Sequence, residues 1–597
     1  MKSIFRATLA LCMLSLSTLA DAGTLPAGFT VGYNEAWIEN NYGNWLASNP
    51  LFHLSSAFPS SFSPPICANN SPLSAMLLGM GQGNAKVVRL FLFPAVQGII
   101  INTSVTSPSS TAVTMTQGLT GEFLTNLTSV FGCVRQYNNK NNTNLKLYIT
   151  ALNGPDMNVV TASNNPVLHL YYQRLLSNSA EIIAYDTLVL EPIIQLMSGY
   201  QDVVYAFDLI NEIEGAINAG YISWSGARAW ISNAAYAINH LPQPQFPWLP
   251  PVTSTAGYGY AVQEVTFGFF RGINLNFYDI HVYTDTGTYS GQTYLCSQVA
   301  SDKLPIILGE FGQHSSSISD SIQNTGAANF LMGASSSCFS GALAWKYEGT
   351  SGEPWYSYLY VNLPVPSTGG TLSAPPCPAQ QPGLPASVQV PGLACARPAY
   401  TTIQNFSLGA SKLVSAAKPE VGSTGGTSAP PLNTTSLTDA QVAQVAHVAS
   451  QIEIANAKLA LDKSSNEQVR AFAAATLNDY AAADAATLSS LSSANINVQD
   501  NAISESLLGA ASEHGQNLSQ LSGAAFDEAY AQNELDFHVF ICGAIEMTLM
   551  PSAQTPHIKK LLQSELGLCQ KHLPGARELV GQLQAPTYLP LPPPKHR

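Results

Sequence analysis

The chain has 597 residues, of which 46% are hydrophobic and only 10% are Asp, Glu, Lys or Arg. A chain of this length is expected to form about two to four domains, and its apolar content is sufficient for substantial cores. The net charge of −13 argues against a nucleic-acid partner and against binding to an anionic membrane surface.

The first 22 residues have the features of a signal peptide. Lys2 and Arg6 give a positive start, residues 7–19 are apolar, and Ala20-Asp21-Ala22 has the small-x-small pattern of a cleavage site. The apolar stretch is too short to cross a bilayer, and no later segment approaches the length needed. We therefore expect a secreted or periplasmic protein that does not span a membrane.

Between residues 23 and 363, eight short apolar runs alternate with longer stretches that are compatible with helices. Near-continuous apolar runs separated by helices are typical of parallel strands covered on both faces. Eight such units in roughly 330 residues predict a (β/α)8 barrel, the TIM barrel, with room for insertions. The runs cover residues 29–33, 87–92, 145–149, 203–212, 252–255, 277–283, 305–310 and 342–345.

The composition changes after the eighth run. Residues 364–436 are rich in Pro, Ser, Thr, Gly and Ala, which predicts a linker. From residue 437 to 585 the apolar period is helical, which predicts a separate four-helix bundle. Its first helix begins near the capping box at Thr438, the others lie near 467–491, 526–549 and 555–584, and a less regular segment precedes residue 523. Residues 586–597 are proline-rich and predict a disordered tail.

The cysteines predict structural disulfides. Eight of the nine follow the predicted signal peptide, an even number for an oxidising compartment, and they lack the close spacing of a zinc site. Proximity favours Cys377–Cys395 and Cys542–Cys569. The pairing of the remaining four stays open: Cys67, Cys133, Cys296 and Cys338.

Glu212 and Glu310 each stand at the C-terminal end of a strand-like run. They are 98 residues apart, which is close to three strand-helix repeats of about 33 residues. One barrel would therefore bring both carboxyl groups to the same rim. Retaining glycoside hydrolysis needs such a pair, because one carboxyl protonates the leaving oxygen while the other attacks the anomeric carbon.

Residues at five strand ends resemble those of the clan A glycoside hydrolases, of which family 5 cellulases and mannanases are typical. The resemblance implies that Glu212 is the acid/base and Glu310 the nucleophile. It also implies supporting or substrate-binding roles for Arg89, Asn211, His281, Tyr283 and Trp345. Two departures make this a divergent member: the third run lacks a terminal histidine, and the segment between Arg89 and Glu212 holds an insertion.

The chemistry of these roles sets expectations for the two carboxyl groups. Arg89 and a phenol hydrogen bond from Tyr283 are expected to lower the pKa of Glu310, whereas the pKa of Glu212 should be higher. Glu214 competes with Glu212 for the acid role, and Asn211 directly before Glu212 favours Glu212.

The sequence thus predicts an exported retaining glycosidase that acts on a β-linked polysaccharide or oligosaccharide without a cofactor. Two alternatives remain. A catalytically inactive barrel would bind carbohydrate while the bundle mediates assembly, and a transglycosylase would use the same residues.

Residues 437–584 resemble a bacterial ferritin-like family, the domain of unknown function 4142. The resemblance rests on the segments around Glu453, Val469, Phe526 and Tyr530, and on His538 and His572. Ferritin-like bundles can hold metals through Glu and Glu-x-x-His sets, but Glu453 has no histidine three residues later. Metal binding by Glu453, His538 and His572 is one interpretation. A packing or attachment module that contacts the cell envelope is the favoured one, and we expect it to be dispensable for hydrolysis and to lie away from the barrel mouth.

Overall fold

The structure, a computed structural model, describes residues 23–36, 46–47, 67, 71–242, 245–313, 319–347, 358, 388–389, 395–413 and 437–583. The predicted signal peptide, the tail and most of the predicted linker lie outside these residues.

Eight parallel strands form a nearly closed barrel, as predicted. They are β1 (Thr30–Asn34), β2 (Val87–Phe91), β3 (Lys146–Asn153), β4 (Val204–Asn211), β5 in two parts (Val252–Thr253 and Thr255–Ala256), β6 (Tyr278–Tyr283), β7 (Ile306–Gly312) and β8 (Phe339–Ala344). The first part of β5 pairs with β4 and the second part pairs with β6, so the sheet runs from one half of β5 round to the other. Every residue of β2, β4 and β7 is buried, which explains why these strands read as continuous apolar runs.

Helices cover the barrel and begin at side-chain caps. Thr120, Ser223 and Ser319 each accept a hydrogen bond from a backbone N–H in the first turn of the helix that follows. The helices are α1 (Pro72–Gln82), α2 (Gly121–Asn141), α3 (Gly154–Val159), α4 (Pro166–Ser177), α5 (Ser179–Tyr185), α6 (Glu191–Ser198), α7 (Glu214–Asn218), α8 (Trp224–Asn239), α9 (Ala261–Thr266), α10 (Gln292–Asp302) and α11 (Asp320–Ser335). The predicted insertion contains an antiparallel hairpin, Ile99–Ile101 with Thr116–Leu119, and the helices α3 to α6.

Part of the predicted linker is a helix that belongs to the barrel. Helix α12 (Pro398–Leu413) lies against α1 and α11. Tyr400 donates a hydrogen bond to the Gly79 carbonyl at 2.6 Å, and Arg397 pairs with Asp320 at 2.7 Å. A linker over the whole of 364–436 is therefore wrong for residues 398–413, because this helix buries Ala399, Tyr400 and Ile403.

The C-terminal region is the predicted helical bundle. Its four long helices are α13 (Asp439–Lys463), α14 (Glu467–Ser493), α16 (Gly523–Ala544, continued by a wider turn over Ile545–Leu549 and by Met550–Ser552) and α17 (Pro556–Leu583). Thr438 and Gln441 form the predicted capping box. The segment expected to be less regular contains a fifth helix, α15 (Ala502–Gln520), which Asn501 caps by accepting from the N–H groups of Ile503 and Ser504.

The described residues contain three disulfides: Cys67–Cys133, Cys296–Cys338 and Cys542–Cys569. The third confirms the predicted pairing, and the first two resolve the pairing that the sequence left open. Cys377, and with it the predicted Cys377–Cys395 bond, lies outside the described residues. None of the helices in the described parts of the chain has the length and apolar character needed to cross a membrane.

The bundle packs directly on the barrel, contrary to the expectation that it lies apart from the mouth. The Phe540 ring lies 5.0 Å from the Phe267 ring and 5.7 Å from the Phe269 ring, and Thr548 donates to the Phe267 carbonyl at 2.8 Å. A Cβ on Gly543 would lie 2.4 Å from the Trp224 ring, so α16 and α8 are in close contact. The expectation failed because it considered the reach of the linker and not the apolar surface that the two modules bury together.

Candidate active site

All seven predicted site residues lie on barrel strands or directly after one. Arg89 is on β2, Asn211 ends β4 and Glu212 follows it. His281 and Tyr283 are on β6, Glu310 is on β7, and Trp345 follows β8. The C-terminal rim is where TIM barrels carry their active sites.

Arg89 ties three strands together at this rim. Its side chain is fully buried, with Nη1 2.5 Å from Glu310 Oε1. Nη2 donates to Asp208 Oδ2 at 2.7 Å and to Asn211 Oδ1 at 2.9 Å. The guanidinium therefore supplies the charge that two buried carboxylates require, and it fixes the position of the Asn211 amide.

Glu310 is held by a donor at each oxygen. Arg89 donates to Oε1, and the Tyr283 hydroxyl donates to Oε2 at 2.5 Å. Burial nonetheless raises the pKa of Glu310 above its ordinary value, although His281, Arg89 and Tyr283 act to lower it. The expected net lowering of this pKa is thus wrong in direction, since the loss of water outweighs the hydrogen bonds.

Glu212 occupies a strained backbone position. Its φ is 48°, in the left-handed region, which costs a non-glycine residue on the order of 1–3 kcal/mol. Its N–H donates to Thr255 Oγ1 at 2.8 Å, which helps to hold that conformation. Burial raises the pKa of Glu212 to about 7, with Asp208 adding to the effect and Arg89 opposing it. The raised pKa agrees with the expectation for an acid.

His281 lies between the two glutamates. Burial lowers the pKa of His281 to about 3, so the ring is neutral at ordinary pH. Its Nε2 lies 3.4 Å from Arg89 Nη1, which can only donate, so the hydrogen is assigned to Nδ1. Nδ1 lies 2.8 Å from Glu212 Oε1 and 3.4 Å from Glu310 Oε2.

These three residues form what we call the barrel cluster: Glu212, His281 and Glu310. One nitrogen or oxygen atom from each lies within 4.8 Å of those of the other two. Retaining glycosidases hold their carboxyl groups about 5–5.5 Å apart, whereas inverting enzymes need roughly 6.5–9.5 Å to admit a water molecule. An approach within 4.8 Å is closer to the retaining arrangement than to the inverting one. The side chains keep 13% and 4% of their surface exposed at Glu212 and Glu310, respectively.

Trp345 and Glu214 lie outside the barrel cluster. Trp345 is half-buried beside β2, with its ring 6.2 Å from that of Phe91, and its peptide bond to Lys346 is cis. Glu214, the competitor for the acid role, is buried and accepts a hydrogen bond from the Gly257 N–H at 2.8 Å. It is not a member of the barrel cluster.

Four residues at the rim were not found from the sequence. Asp208 pairs with Arg89, Asn153 accepts from the Asn211 amide at 2.8 Å, and Thr255 binds the Glu212 N–H. Tyr258 follows β5 with a φ of 55°, and Glu212 helps to raise its pKa, which burial places well above the ordinary value. The available signals were an acid inside the apolar run of β4 and a polar residue at the end of β3.

A second cluster of the same residue types lies inside the bundle. Glu453, Glu534 and His538, which we call the bundle cluster, have ligand atoms within 4.8 Å of one another, and all three are fully buried. Within the described part of the chain none of the four carboxylate oxygens accepts a well-formed hydrogen bond, although the Asn456 and Asn533 side chains act to lower the pKa of Glu534. His572, the third predicted ligand, instead contacts Asp479 at 2.8 Å. Two carboxylates and an imidazole fit a divalent cation, and Glu453, Glu534 and His538 would hold it.

Comparison with known proteins agrees with the resemblance of the bundle. Residues 423–579 match the family described as Domain of unknown function (DUF4142). No curated protein matches the chain.

Three solved structures with similar folds are glycoside hydrolases. The first is an exo-β-1,4-mannosidase from Opitutaceae bacterium strain TAV5, at 13% identity and a TM-score of 0.39, covering 67% of this chain and 62% of the mannosidase. This chain therefore spans less than two thirds of that protein. The second is a GH5_18 protein from Streptomyces cattleya in complex with GlcNAc, at 12% identity and a TM-score of 0.39, covering 66% and 82% of the two chains. The third is a GH1 β-glucosidase from Exiguobacterium antarcticum, at 11% identity and a TM-score of 0.38, covering 65% and 99%.

Proposed function

We propose that this chain is an exported retaining glycoside hydrolase that cleaves a β-linked polysaccharide or oligosaccharide by double displacement. The observation that carries the proposal is the barrel cluster, in which Glu212 and Glu310 approach within 4.8 Å of each other at the barrel rim. The hydrogen bonds around the cluster support an assignment of roles. Export is supported by the sequence pattern of the first 22 residues and agrees with the three disulfides.

Glu310 is assigned as the nucleophile. Its two oxygens accept from Arg89 and Tyr283, and donors at both oxygens favour the ionised form that attack on the anomeric carbon requires. Attack forms a glycosyl ester at Glu310 and breaks the bond to the leaving oxygen. Asp208 keeps Arg89 in place, so the guanidinium is already oriented before the sugar arrives.

Glu212 is assigned as the acid/base. Its pKa of about 7 keeps a large fraction protonated near neutrality, so it can deliver a proton to the leaving oxygen. In the second step the Glu212 carboxylate accepts a proton from water, and the resulting hydroxide displaces Glu310 from the anomeric carbon. Neutral His281, donating from Nδ1, orients the Glu212 carboxyl toward the substrate.

Substrate binding is assigned to the rim residues. Asn211 is held by Arg89 and Asn153 where its amide can meet a sugar hydroxyl, and the partly exposed Trp345 offers a flat face to a pyranose. The sugar and linkage remain to be found by testing glucans, mannans, xylans and aryl β-glycosides. Release of reducing ends that stops in Glu310→Gln and in Glu212→Ala supports the proposal. Sugar binding without turnover favours the non-catalytic alternative, and transfer to sugar acceptors in preference to water favours the transglycosylase.

The covalent step has its own test. A 2-deoxy-2-fluoro aryl glycoside with a good leaving group should accumulate as an ester on the peptide that contains Glu310. The 2-fluoro group slows both steps, and the good leaving group restores the rate of the first step only. Mass spectrometry of a protease digest detects the adduct. An adduct on any other peptide would remove Glu310 from the role of nucleophile.

A further inference from the structure

The bundle holds two segments that lie beside Glu212. The first is helix α7, which follows Glu212 in the sequence. Helix α7 begins two residues after Glu212 and ends at Asn218. Arg577 on α17 donates to the carbonyls of Asn218 at 2.7 Å and Ile217 at 2.9 Å. The Asn218 amide donates to Asp536 on α16 at 3.2 Å. Two bundle helices therefore fix the C-terminal end of this short helix.

The second segment that the bundle contacts is the loop of residues 257–260, which follows β5. Gly257 lies so close to Glu212 that a Cβ there would be 2.3 Å from the Glu212 Cγ. Two residues on, the Gly259 carbonyl accepts from His514 Nε2 on α15 at 2.9 Å. A Cβ on Gly259 would lie 3.0 Å from the His514 ring and 3.8 Å from Asp536 Oδ2. The loop thus has the Glu212 side chain on one side and the bundle on the other.

Tyr260 anchors the end of the loop in the bundle. Its buried ring stacks on Phe540 at 5.1 Å with an angle of 12°, and lies 5.0 Å from the His514 ring. Between the two anchor points, Tyr258 has a left-handed φ of 55°. A strained residue of this kind persists only where the surrounding structure holds it. Here the bundle provides much of that surrounding structure.

We infer that the helical bundle is part of the active-site framework, and that His514, Asp536 and Arg577 are positioning residues that set the place of Glu212 through loop 257–260 and helix α7. This inference rests on the proposed function, since it assigns these residues to the acid/base. It also replaces the expectation that the bundle is dispensable. None of the three residues touches the reacting atoms.

The test compares His514→Ala and Arg577→Ala with Thr548→Val in the full-length chain. Thr548→Val is the matched control, because it removes one hydrogen bond from the same interface, to Phe267, without touching either segment beside Glu212. A misplaced acid should lower kcat/KM about 10- to 100-fold for glycosides with unactivated leaving groups. For 4-nitrophenyl glycosides, whose departure needs no proton, kcat/KM should stay within about threefold of the wild type. His514→Gln, which keeps a donor, should restore most of the loss.

A second measurement does not depend on turnover. Hydrogen exchange of the peptides that cover α7 and loop 257–260 should accelerate in His514→Ala and Arg577→Ala and stay at the wild-type rate in Thr548→Val. Equal exchange in all three variants overturns the inference, as does an equal loss of kcat/KM on both substrate types. A wild type that turns over no glycoside defeats the proposed function instead, and the exchange rates then decide on the bundle alone.

Discussion

The part of the molecule that the structure describes contains two clusters of two glutamates and one histidine, and they differ in what surrounds the carboxyl groups. In the barrel cluster, Arg89, Tyr283 and His281 direct donors at Glu212 and Glu310. In the bundle cluster, the oxygens of Glu453 and Glu534 accept no well-formed hydrogen bond from the described residues and have no cation beside them comparable to Arg89. The surroundings therefore stabilise charged carboxylates in the barrel cluster and do so much less in the bundle cluster. The neighbours of a cluster, more than its composition, decide whether it can do acid-base chemistry.

Replacing one carboxyl in each cluster should give the largest contrast. Glu310→Gln removes the nucleophile and should lower kcat by about four orders of magnitude or more, as loss of a covalent nucleophile does elsewhere. Its fold should survive, since Asp208 still pairs with Arg89. Glu453→Gln should change kcat by less than about twofold, because the bundle cluster contributes no group to the barrel rim. Steady-state rates with melting temperatures check both variants, and an inactive, folded Glu453→Gln would break the comparison.

Crowding Glu212 directly should give the next largest effect. In Gly257→Ala the new Cβ would meet the Glu212 side chain at 2.3 Å, and the φ of −132° at this position suits alanine, so the effect is purely steric. We expect kcat/KM to fall by about 100-fold, as for a catalytic group displaced by roughly 1 Å. Gly121→Ala is the control, because nothing lies within 4 Å of its added Cβ. Wild-type activity in Gly257→Ala would mean that Glu212 works from another position.

The pH dependence should report the acid of the barrel cluster. Glu212 must be protonated in the first step and its pKa is raised to about 7, so kcat/KM should fall tenfold per pH unit well above pH 7 as the proton is lost. In Glu212→Ala, assayed with azide and a 4-nitrophenyl glycoside, this alkaline limb should disappear. An alkaline limb that survives the substitution would assign the pKa to another group.

The bundle cluster should instead affect stability. Burial raises the pKa of Glu534 to about 7, and that of Glu453 lies well above its ordinary value because of burial and of Glu534. The stability that the protonated pair contributes is fully present below about pH 4.5 and is lost as the pH rises through about 7. The double variant Glu453→Gln, Glu534→Gln should therefore melt a few °C above the wild type at pH 8, and the gap should shrink at pH 5. An identical pH slope in the two proteins would contradict the shifts.

Removal of divalent cations should give the smallest effect. Double displacement requires only the two carboxyl groups, so dialysis against a chelator should leave kcat within about twofold. A fall in melting temperature with unchanged kcat would place a cation in the bundle cluster alone. Loss of kcat that returns with one added metal would connect the two clusters.

Much of the barrel could be predicted because its strands are apolar runs that end in polar residues at regular spacing. Asn211-Glu212 and Glu310 close apolar runs at repeat spacing, and the closed barrel brings both to one rim. Asp208 was missed, since an acid inside a buried strand makes sense only once Arg89 is seen opposite it. Helix α15 was missed because its pattern is interrupted by small and polar residues, including Gly509 and Gly515.

The docking of the bundle could not be predicted. Tyr260 and Phe540 read as ordinary core aromatics in their own segments, and no sequence pattern says that they stack on each other. The net rise in the Glu310 pKa was missed for a related reason. The donors can be guessed from the motif, whereas the degree of burial depends on the whole barrel.

The aromatic contact between barrel and bundle has a consequence for folding during synthesis of the chain. Phe540 covers Phe267, Phe269 and Tyr260 on the barrel, and it follows Ala344, the end of the last barrel strand, by 196 residues. At a synthesis rate of roughly 5–20 residues per second, the barrel would wait about 10–40 s with an apolar face uncovered. During that interval the nascent chain is prone to aggregate, and a barrel produced alone would keep this hazard permanently. Expression of the isolated barrel would thus call for polar substitutions at these rings or for a chaperone that shields them.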